Sequence, residues 1–460
     1  MTTPDDAIGG APDAIRAPVN RHRLIVRHRS RDGVIAIDES AGDALPRIDT
    51  DDRHTADVDH VNVAIEAKYG LRATVLRSLL HGEVRDGIVE RAHEVEVHGG
   101  VAETALAWRA AATVELPDAA DRAALDAWRA PFSIVDGRDW MAPGWFERAL
   151  DWIDSTMRAA GLGAPSRVRQ IRTWASSCVL EVECAGAIAY FKAVANAGGS
   201  EHAVTRFLAA SFPNDVPRLI AHDARGRWLL LEACAGRNLE MVADVAMWAD
   251  AARRYGELQA ACVGRVAELE RIGCKRRPLD ALPAAVAALA NDERTLRAGT
   301  PDGSTHAELA QLRALVPHLA ERCRSLAACG VPDSLEHGDL WPSNIFVAGN
   351  VVDGGASVII DWEDVRLAHP FLSLAPLTVG LSNAGLASAA NVERLERAYL
   401  SAFAAIAPAE ALSRALALAA PLCFLDLAVR YRAERASVAR LHPWMRDLVP
   451  HAVRLALARL

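Results

Sequence analysis

The stretch Glu336-His-Gly-Asp-Leu-Trp-Pro-Ser-Asn-Ile-Phe-Val347, followed by Val358-Ile-Ile-Asp-Trp-Glu-Asp364, holds the densest set of residues able to do chemistry. Asp339 stands ahead of an apolar run, between Gly338 and Pro342, which suit a fixed turn. Asn344 begins that run. Turn residues Asn350 to Gly355 and the second apolar run Val358-Ile-Ile make a hairpin that folds Asp361 back beside Asn344. One amide oxygen and one carboxylate side by side suit a hard cation such as Mg²⁺, which keeps water and phosphate oxygens as its other ligands. Asp339 is then free to orient a hydroxyl and accept its proton. Taken singly, an Asp or Asn beside Gly and Pro is a turn former. The joint spacing between apolar runs is what favours chemistry.

The pattern H-G-D-L-x-x-x-N followed by I-I-D-W-E resembles the aminoglycoside phosphotransferase/choline kinase-like family. The resemblance spans residues 165–460. It implies a protein-kinase-like fold and transfer of the γ-phosphate of ATP, or GTP in its place, to a hydroxyl of a small molecule. It also implies that Asp339 is the catalytic base, that Asn344 and Asp361 hold Mg²⁺, and that His337 braces the loop. One departure stands out. In His369-Pro-Phe-Leu-Ser-Leu-Ala375, Ser373 occupies a place where the family usually has an Asp that braces the catalytic loop from below. Its replacement removes no metal ligand, but it leaves open how the loop is held.

A kinase-like site requires a phosphate-binding lysine on an upstream strand. Ala189-Tyr-Phe-Lys-Ala-Val194 offers Lys192. Of 51 basic residues, 48 are arginine, and the three lysines are Lys68, Lys192 and Lys275. A merely solvated cation in this chain would be arginine. A compact ammonium at Lys192 instead fits a crowded phosphate site, where a wide planar fork would not. Glu201, in the first turn of a helix that Ser200 could cap, is its expected ion-pair partner. The phosphate-covering loop falls on Ala175-Ser-Ser-Cys178, with Ser176 and Ser177 as its polar residues. By resemblance, backbone groups near Glu232 to Cys234 meet the nucleotide base.

These residues need elements to position them. Val168–Trp174, Val179–Cys184 and Ile188–Val194 read as strands, a helix follows from Ser200, and two more β segments lie around 218–221 and 228–232. Residues 241–328 and 384–460 are mainly helical and alanine-rich. The reading is α+β: a β-rich lobe over 161–238 and a helical lobe over 239–460. Before them come a disordered leader, 1–20, and a separate α/β domain, 21–160. Residues 21–130 weakly resemble a Nudix fold, with Val63-Ala-Ile-Glu-Ala-Lys-Tyr-Gly-Leu71 at the place of its metal-binding helix. Only Glu66 there is acidic, so a structural or substrate-presenting domain is expected rather than a hydrolase. The tryptophans Trp108, Trp128, Trp140, Trp145 and Trp152 read as packing residues.

Composition narrows the class. The 460 residues carry a net charge of −8 and 51% hydrophobic residues, which favours a folded chain with no electrostatic bias toward nucleic acid or anionic membrane. No uncharged apolar stretch of spanning length is evident, and the N-terminus lacks the apolar core of a secretory signal. Eight scattered cysteines without C-x-x-C spacing read as reduced thiols of a cytoplasmic protein. Residues 381–460 hold ten Arg against six Asp and Glu, a balance that suits a neutral or anionic hydroxylated acceptor better than a polycationic drug. The alternatives are a nucleotide-binding pseudo-kinase with a regulatory role and a protein kinase. The segment between Asp361 and Pro376 is too short for the activation segment of the latter.

Overall fold

The computed structural model describes residues 19–28, 31–51, 56–99, 106–131, 138–195, 200–349, 355–438 and 447–460. Of the leader expected over 1–20, residues 1–18 lie outside the described residues, and Val19 and Asn20 belong to the first strand instead, where Asn20 is buried and paired with Thr50. Residues 350–354 of the expected turn also lie outside them. The chain divides into two compact units, Met1–Phe132 and Ser133–Leu460.

The first unit is built on β1 (Val19–Arg27), β2 (Val34–Ile37), β3 (Arg47–Thr50), β4 (Ala73–Arg85), β5 (Ile88–Val97) and β6 (Ala107–Ala110). Their order is β4-β5-β1-β2-β6, with β3 also paired to β1. The β1–β5 pair is parallel. Side chains alternate across β1. Leu24 and Val26 join Val61 and Ile65 of α1 (Asp59–Tyr69), whereas Ile25 joins Ala124 and Leu125 of α2 (Ala119–Arg129). A helix thus covers each face of the sheet. Helix α1 ends at Gly70, whose φ of +66° is the left-handed cap. Its Glu66 is exposed. Lys68 donates to the Arg47 carbonyl at 2.7 Å, a local tie.

The second unit starts earlier than the sequence reading placed it. Helix α3 (Trp145–Ala159), assigned there to the first domain, packs Trp145, Ile153 and Met157 against Leu180, Val182 and Phe191 of the second unit. The Gly161-Leu-Gly segment is therefore a turn inside the unit, and α3 is the helix its sheet needs to cover an apolar face. That antiparallel sheet contains β7 (Arg167–Thr173), β8 (Ser177–Cys184), β9 (Ala187–Val194), β10 (Leu219–Asp223) and β11 (Trp228–Glu232), in the order β10-β11-β9-β8-β7. Between β9 and β10 lies α4 (Glu201–Ser211). The Ser200 hydroxyl makes no capping bond to it.

The helical lobe begins with β12 (Arg237–Asn238), α5 (Val245–Cys262), α6 (Val266–Arg271), α7 (Leu282–Ala290), α8 (Glu293–Leu296) and α9 (His306–Ala327). Thr305 and Glu308 form a reciprocal cap at the start of α9. Four short strands follow: β13 (Ser334–Glu336), β14 (Ile345–Ala348), β15 (Ala356–Ile359) and β16 (Arg366–Ala368). β14 and β15 form the expected hairpin, and β13 pairs with β16. The lobe closes with α10 (Ala375–Asn383), α11 (Ala389–Ser401), α12 (Ala409–Val438) and α13 (Leu448–Leu457).

Residues 409–433 of α12 are long and apolar enough to cross a membrane, which the sequence reading overlooked because charges interrupt the run. Its apolar window is 67% buried within the protein, as befits a central core helix. Of the eight free cysteines, all but Cys234 are buried.

Candidate active site

The loop between β13 and β14 carries Asp339, and its shape follows from local chemistry. Gly338 sits at φ +86°, and a Cβ there would lie 2.5 Å from the Asp364 carbonyl oxygen, so only glycine fits. His337 is fully buried. Its Nε2–H donates to the Ile360 carbonyl at 3.0 Å, while Nδ1 accepts the Asp339 amide at 3.2 Å. Those two bonds require the neutral ring, and burial holds the imidazole below its ordinary value. His337 thus ties the loop to the strand that delivers Asp361.

Asn344 donates from Nδ2 to the Asp339 carbonyl at 2.9 Å and to its carboxylate at 3.2 Å. Its own carbonyl accepts the Ile360 amide at 2.9 Å. The β14–β15 register therefore sets Asn344 next to the residue preceding Asp361. Asp361 has a left-handed φ of +63°, which turns the chain sharply out of β15.

Lys192 reaches this corner from the small lobe. Alternation along β9 sends Phe191 into the core against α3 and turns Lys192 to the opposite face. Its Nζ lies 2.8 Å from Glu201 Oε1, 2.5 Å from Asp361 Oδ1 and 3.6 Å from Glu363 Oε2. Burial alone would lower the ammonium, but Asp361, Glu201 and Glu363 together hold it well above the lysine range. Burial raises Glu201 to about 7 despite the lysine, and raises Glu363 as well. Asp361 goes the other way. Burial opposes its charge, yet Lys192 keeps it below the usual carboxylate value.

Oxygens of Glu201, Asp361 and Glu363 lie within 4.8 Å of one another. Glu201 Oε2 is buried with no hydrogen-bond partner. These hard oxygens fit an oxygen-seeking divalent cation.

The remaining predicted positions fall as follows. Ser177 and Cys178 belong to β8, so the covering turn is only Trp174–Ser176, shorter than the sequence reading had it. The strand read as Val179–Cys184 starts two residues sooner because Ser177 and Val194 are in register. Ser176 does reach the site, donating to Glu363 Oε1 at 2.9 Å. Glu232 ends β11 and forms an exposed ion pair with Arg218. The amides of Glu232 and Ala233 are bound to the carbonyls of Arg218 and Ile188. The first backbone groups beyond these are those of Cys234.

Three site residues escaped the sequence reading. Glu363 and Asp364 lay inside the quoted motif but had no assigned partner. Arg430 had no local signal, because it comes from α12 in the middle of an alanine-rich helix. Its guanidinium lies 3.3 Å from Asp339 Oδ1 and also pairs with Asp364. Burial pushes Asp339 up to about 6, Arg430 pulls against it, and Asp364 and Asp361 push with it. A carboxyl tuned close to neutrality suits a general base.

Residues 156–412, more than half of the chain, match the family model described as APH, phosphotransferase enzyme family. The chain belongs to that family. A search of curated proteins finds no match. Among solved structures, this phosphotransferase is similar to a choline/ethanolamine kinase family protein from Mesorhizobium loti, at 15% identity and a TM-score of 0.47 over 68% of this chain and 94% of that one. It is similar to APH(2")-IIia in complex with GDP and kanamycin, at 14% identity and 0.46 over 67% and 98%. It is also similar to the choline kinase LicA from Streptococcus pneumoniae, at 16% identity and 0.45 over 69% and 100%. The phosphotransferase fold is α+β and protein-kinase-like, with a small β lobe and a helical lobe. The family match lies wholly within the second unit. It does not extend to the Nudix resemblance of the first.

Proposed function

We propose that this phosphotransferase moves the γ-phosphate of ATP to a hydroxyl of a small molecule. The observation that carries this reading is that Lys192 from the small lobe meets Asp361, Asn344 meets Asp339, and the Asp361 charge is near enough to push the Asp339 carboxyl up. Asn344 and Asp361 are the residues that would hold Mg²⁺. That ion, when bound, neutralises charge on the phosphates. Lys192 supplies a fixed positive charge from β9, and Glu201 fixes where it points. Asp339 orients the acceptor hydroxyl and takes its proton as the new O–P bond forms and the β–γ bridging bond breaks. Positioning and electrostatics then supply most of the acceleration.

The acceptor is a hydroxylated small molecule. The excess of arginine in residues 381–460 gives less guidance than the count implied. Arg397, Arg430, Arg432 and Arg454 are paired with Glu393, Asp339 and Asp364, Asp292 and Glu308. Much of that charge is spent inside the unit.

The test is an ATP-consumption screen over sugars, amino alcohols and aminoglycosides, run beside Asp339→Ala. Acceptor-dependent ADP release that falls by about 10²-fold or more in the variant is the expected outcome, the range for losing a positioned base. Turnover that survives Asp339→Ala removes the proposed base. ATP binding without transfer to any acceptor makes the pseudo-kinase the better reading.

A further inference from the structure

We infer that Glu336 is the positioning residue that holds the Asp339 loop, taking over a task the resemblance assigns to a carboxylate at position 373. The inference rests on Asp339 being the base, and its own geometry is independent of that. Glu336 is the last residue of β13, two before Gly338, and is 1% exposed. Its Oε1 accepts the Gly338 amide at 2.9 Å and the Ser373 hydroxyl at 2.8 Å. Its Oε2 faces Arg366 Nε at 2.7 Å. One carboxylate therefore joins the loop backbone, the segment after β16 and a buried guanidinium.

The surroundings are built for a charge at this position. Arg366 extends to Asp426 on α12 at 2.7 Å, and Asp426 meets Arg277 at 2.6 Å. Tyr255 donates to Ser373 at 2.7 Å while its oxygen accepts the His337 amide at 3.1 Å. Successive loop amides, at His337 and Gly338, are thus taken by Tyr255 and Glu336. Burial alone would raise the Glu336 carboxyl. Arg366, the Ser373 hydroxyl and the Gly338 amide outweigh it and keep Glu336 ionised. An aspartate at 373 would stand against this charge, which explains why a hydroxyl donor occupies the place. Glu336, at the end of β13, thus supplies to the loop the carboxylate that the resemblance expected from position 373, in the helical turn Pro370–Ser373.

The rest of the α12 contacts agree with this role. Asp426 and Arg430 lie one helical turn apart on α12. The first is joined through Arg366 to Glu336, and the second touches Asp339 directly. The helix therefore grips both ends of the Glu336–Asp339 segment.

The experiment moves the carboxylate back. Glu336→Val, Ser373→Asp and the double variant are compared, the double keeping the number of side-chain heavy atoms unchanged. Three readouts are taken: kcat and KM for slow γ-phosphate transfer from MgATP to water, hydrogen exchange of the peptide 337–344, and the thermal midpoint. Glu336→Val is expected to lower kcat by about 10²-fold with KM for ATP little changed, the penalty of a small misplacement of a reacting group. Exchange at the Gly338 amide should quicken. Ser373→Asp alone should be impaired by two facing carboxylates.

The double variant should regain about tenfold or more of the lost kcat and restore exchange protection, as a returned positioning group would. A double variant no better than Glu336→Val in both readouts overturns the inference. Asp339→Asn runs alongside. If it keeps full turnover, the base assignment fails, and the exchange data alone decide whether Glu336 holds the loop.

Discussion

Lys192→Arg keeps the charge and changes only its shape, so it isolates why lysine stands on β9. In the structure the ammonium meets Glu201 at 2.8 Å, Asp361 at 2.5 Å and Glu363 at 3.6 Å, from a side chain that is 11% exposed. A compact ammonium can address three acids in different directions. A planar guanidinium cannot do so from the same Cα. Forcing the larger group into this packed corner costs about 1–3 kcal/mol of stability. For a unit of this size that lowers the thermal midpoint by roughly 1–5 °C.

The catalytic penalty is larger. Displacing one fixed donor that faces developing charge costs about 10²–10³ in kcat. The assay is coupled ADP release with the best acceptor from the screen, with the midpoint measured in parallel. Lys192→Met serves as the reference. It leaves Glu201, Asp361 and Glu363 facing one another, and breaking a buried pair in this way costs about 3–5 kcal/mol. If Lys192→Arg retains kcat/KM within about threefold of the wild type, less than 1 kcal/mol of transition-state stabilisation, the shape argument fails. The retention of lysine there would then need another cause.

Two further outcomes follow from charge. Arg430→Met removes the cation that holds Asp339 down, so the acid limb of the kcat profile should move from near pH 6 upward by about 1–3 units. Activity lost near neutrality should return at high pH, and a uniform loss at every pH would refute the coupling. In the first unit, His22 and His93 share a 2.9 Å ring-nitrogen contact. Burial, the largest cause in both, pushes His93 down to about 3 and His22 further still. The unfolded chain takes up these protons first. Their contribution is therefore complete above the ordinary value of 6.5 and is lost as the pH falls toward 3, at about 1.4 kcal/mol per pH unit for each ring. Denaturant midpoints of the first unit from pH 7.5 to 5 should track this, and His93→Gln should flatten the slope.

Periodicity and spacing determined a good deal by themselves. Alternating apolar residues announced β7, β8 and β9, and the apolar runs around the 350–355 turn announced the hairpin that sets Asn344 near Asp361. These are short-range features. A strand's period is a property of neighbouring residues. The glycine at 338 was legible in the motif, but the reason only glycine fits there, the Asp364 backbone where a Cβ would lie, is a tertiary contact. The scarcity of lysine also pointed to Lys192 before any partner was known.

Tertiary structure decided what depends on residues far apart in the chain. That α3 belongs to the second unit could not be read from a Gly-rich turn, because the decision lies in which apolar face buries Trp145 and Ile153. Arg430 lies 91 residues from Asp339, and only the path of α12 through the core brings its guanidinium to the loop. Ser373 read alone signalled a missing brace, yet in the fold the Glu336 carboxylate bonds both the Gly338 amide and the Ser373 hydroxyl. Sequence shows that a residue type has changed. Whether the charge it carried is supplied from another strand is a matter of which side chains share a buried volume, and that is fixed only when the chain is packed.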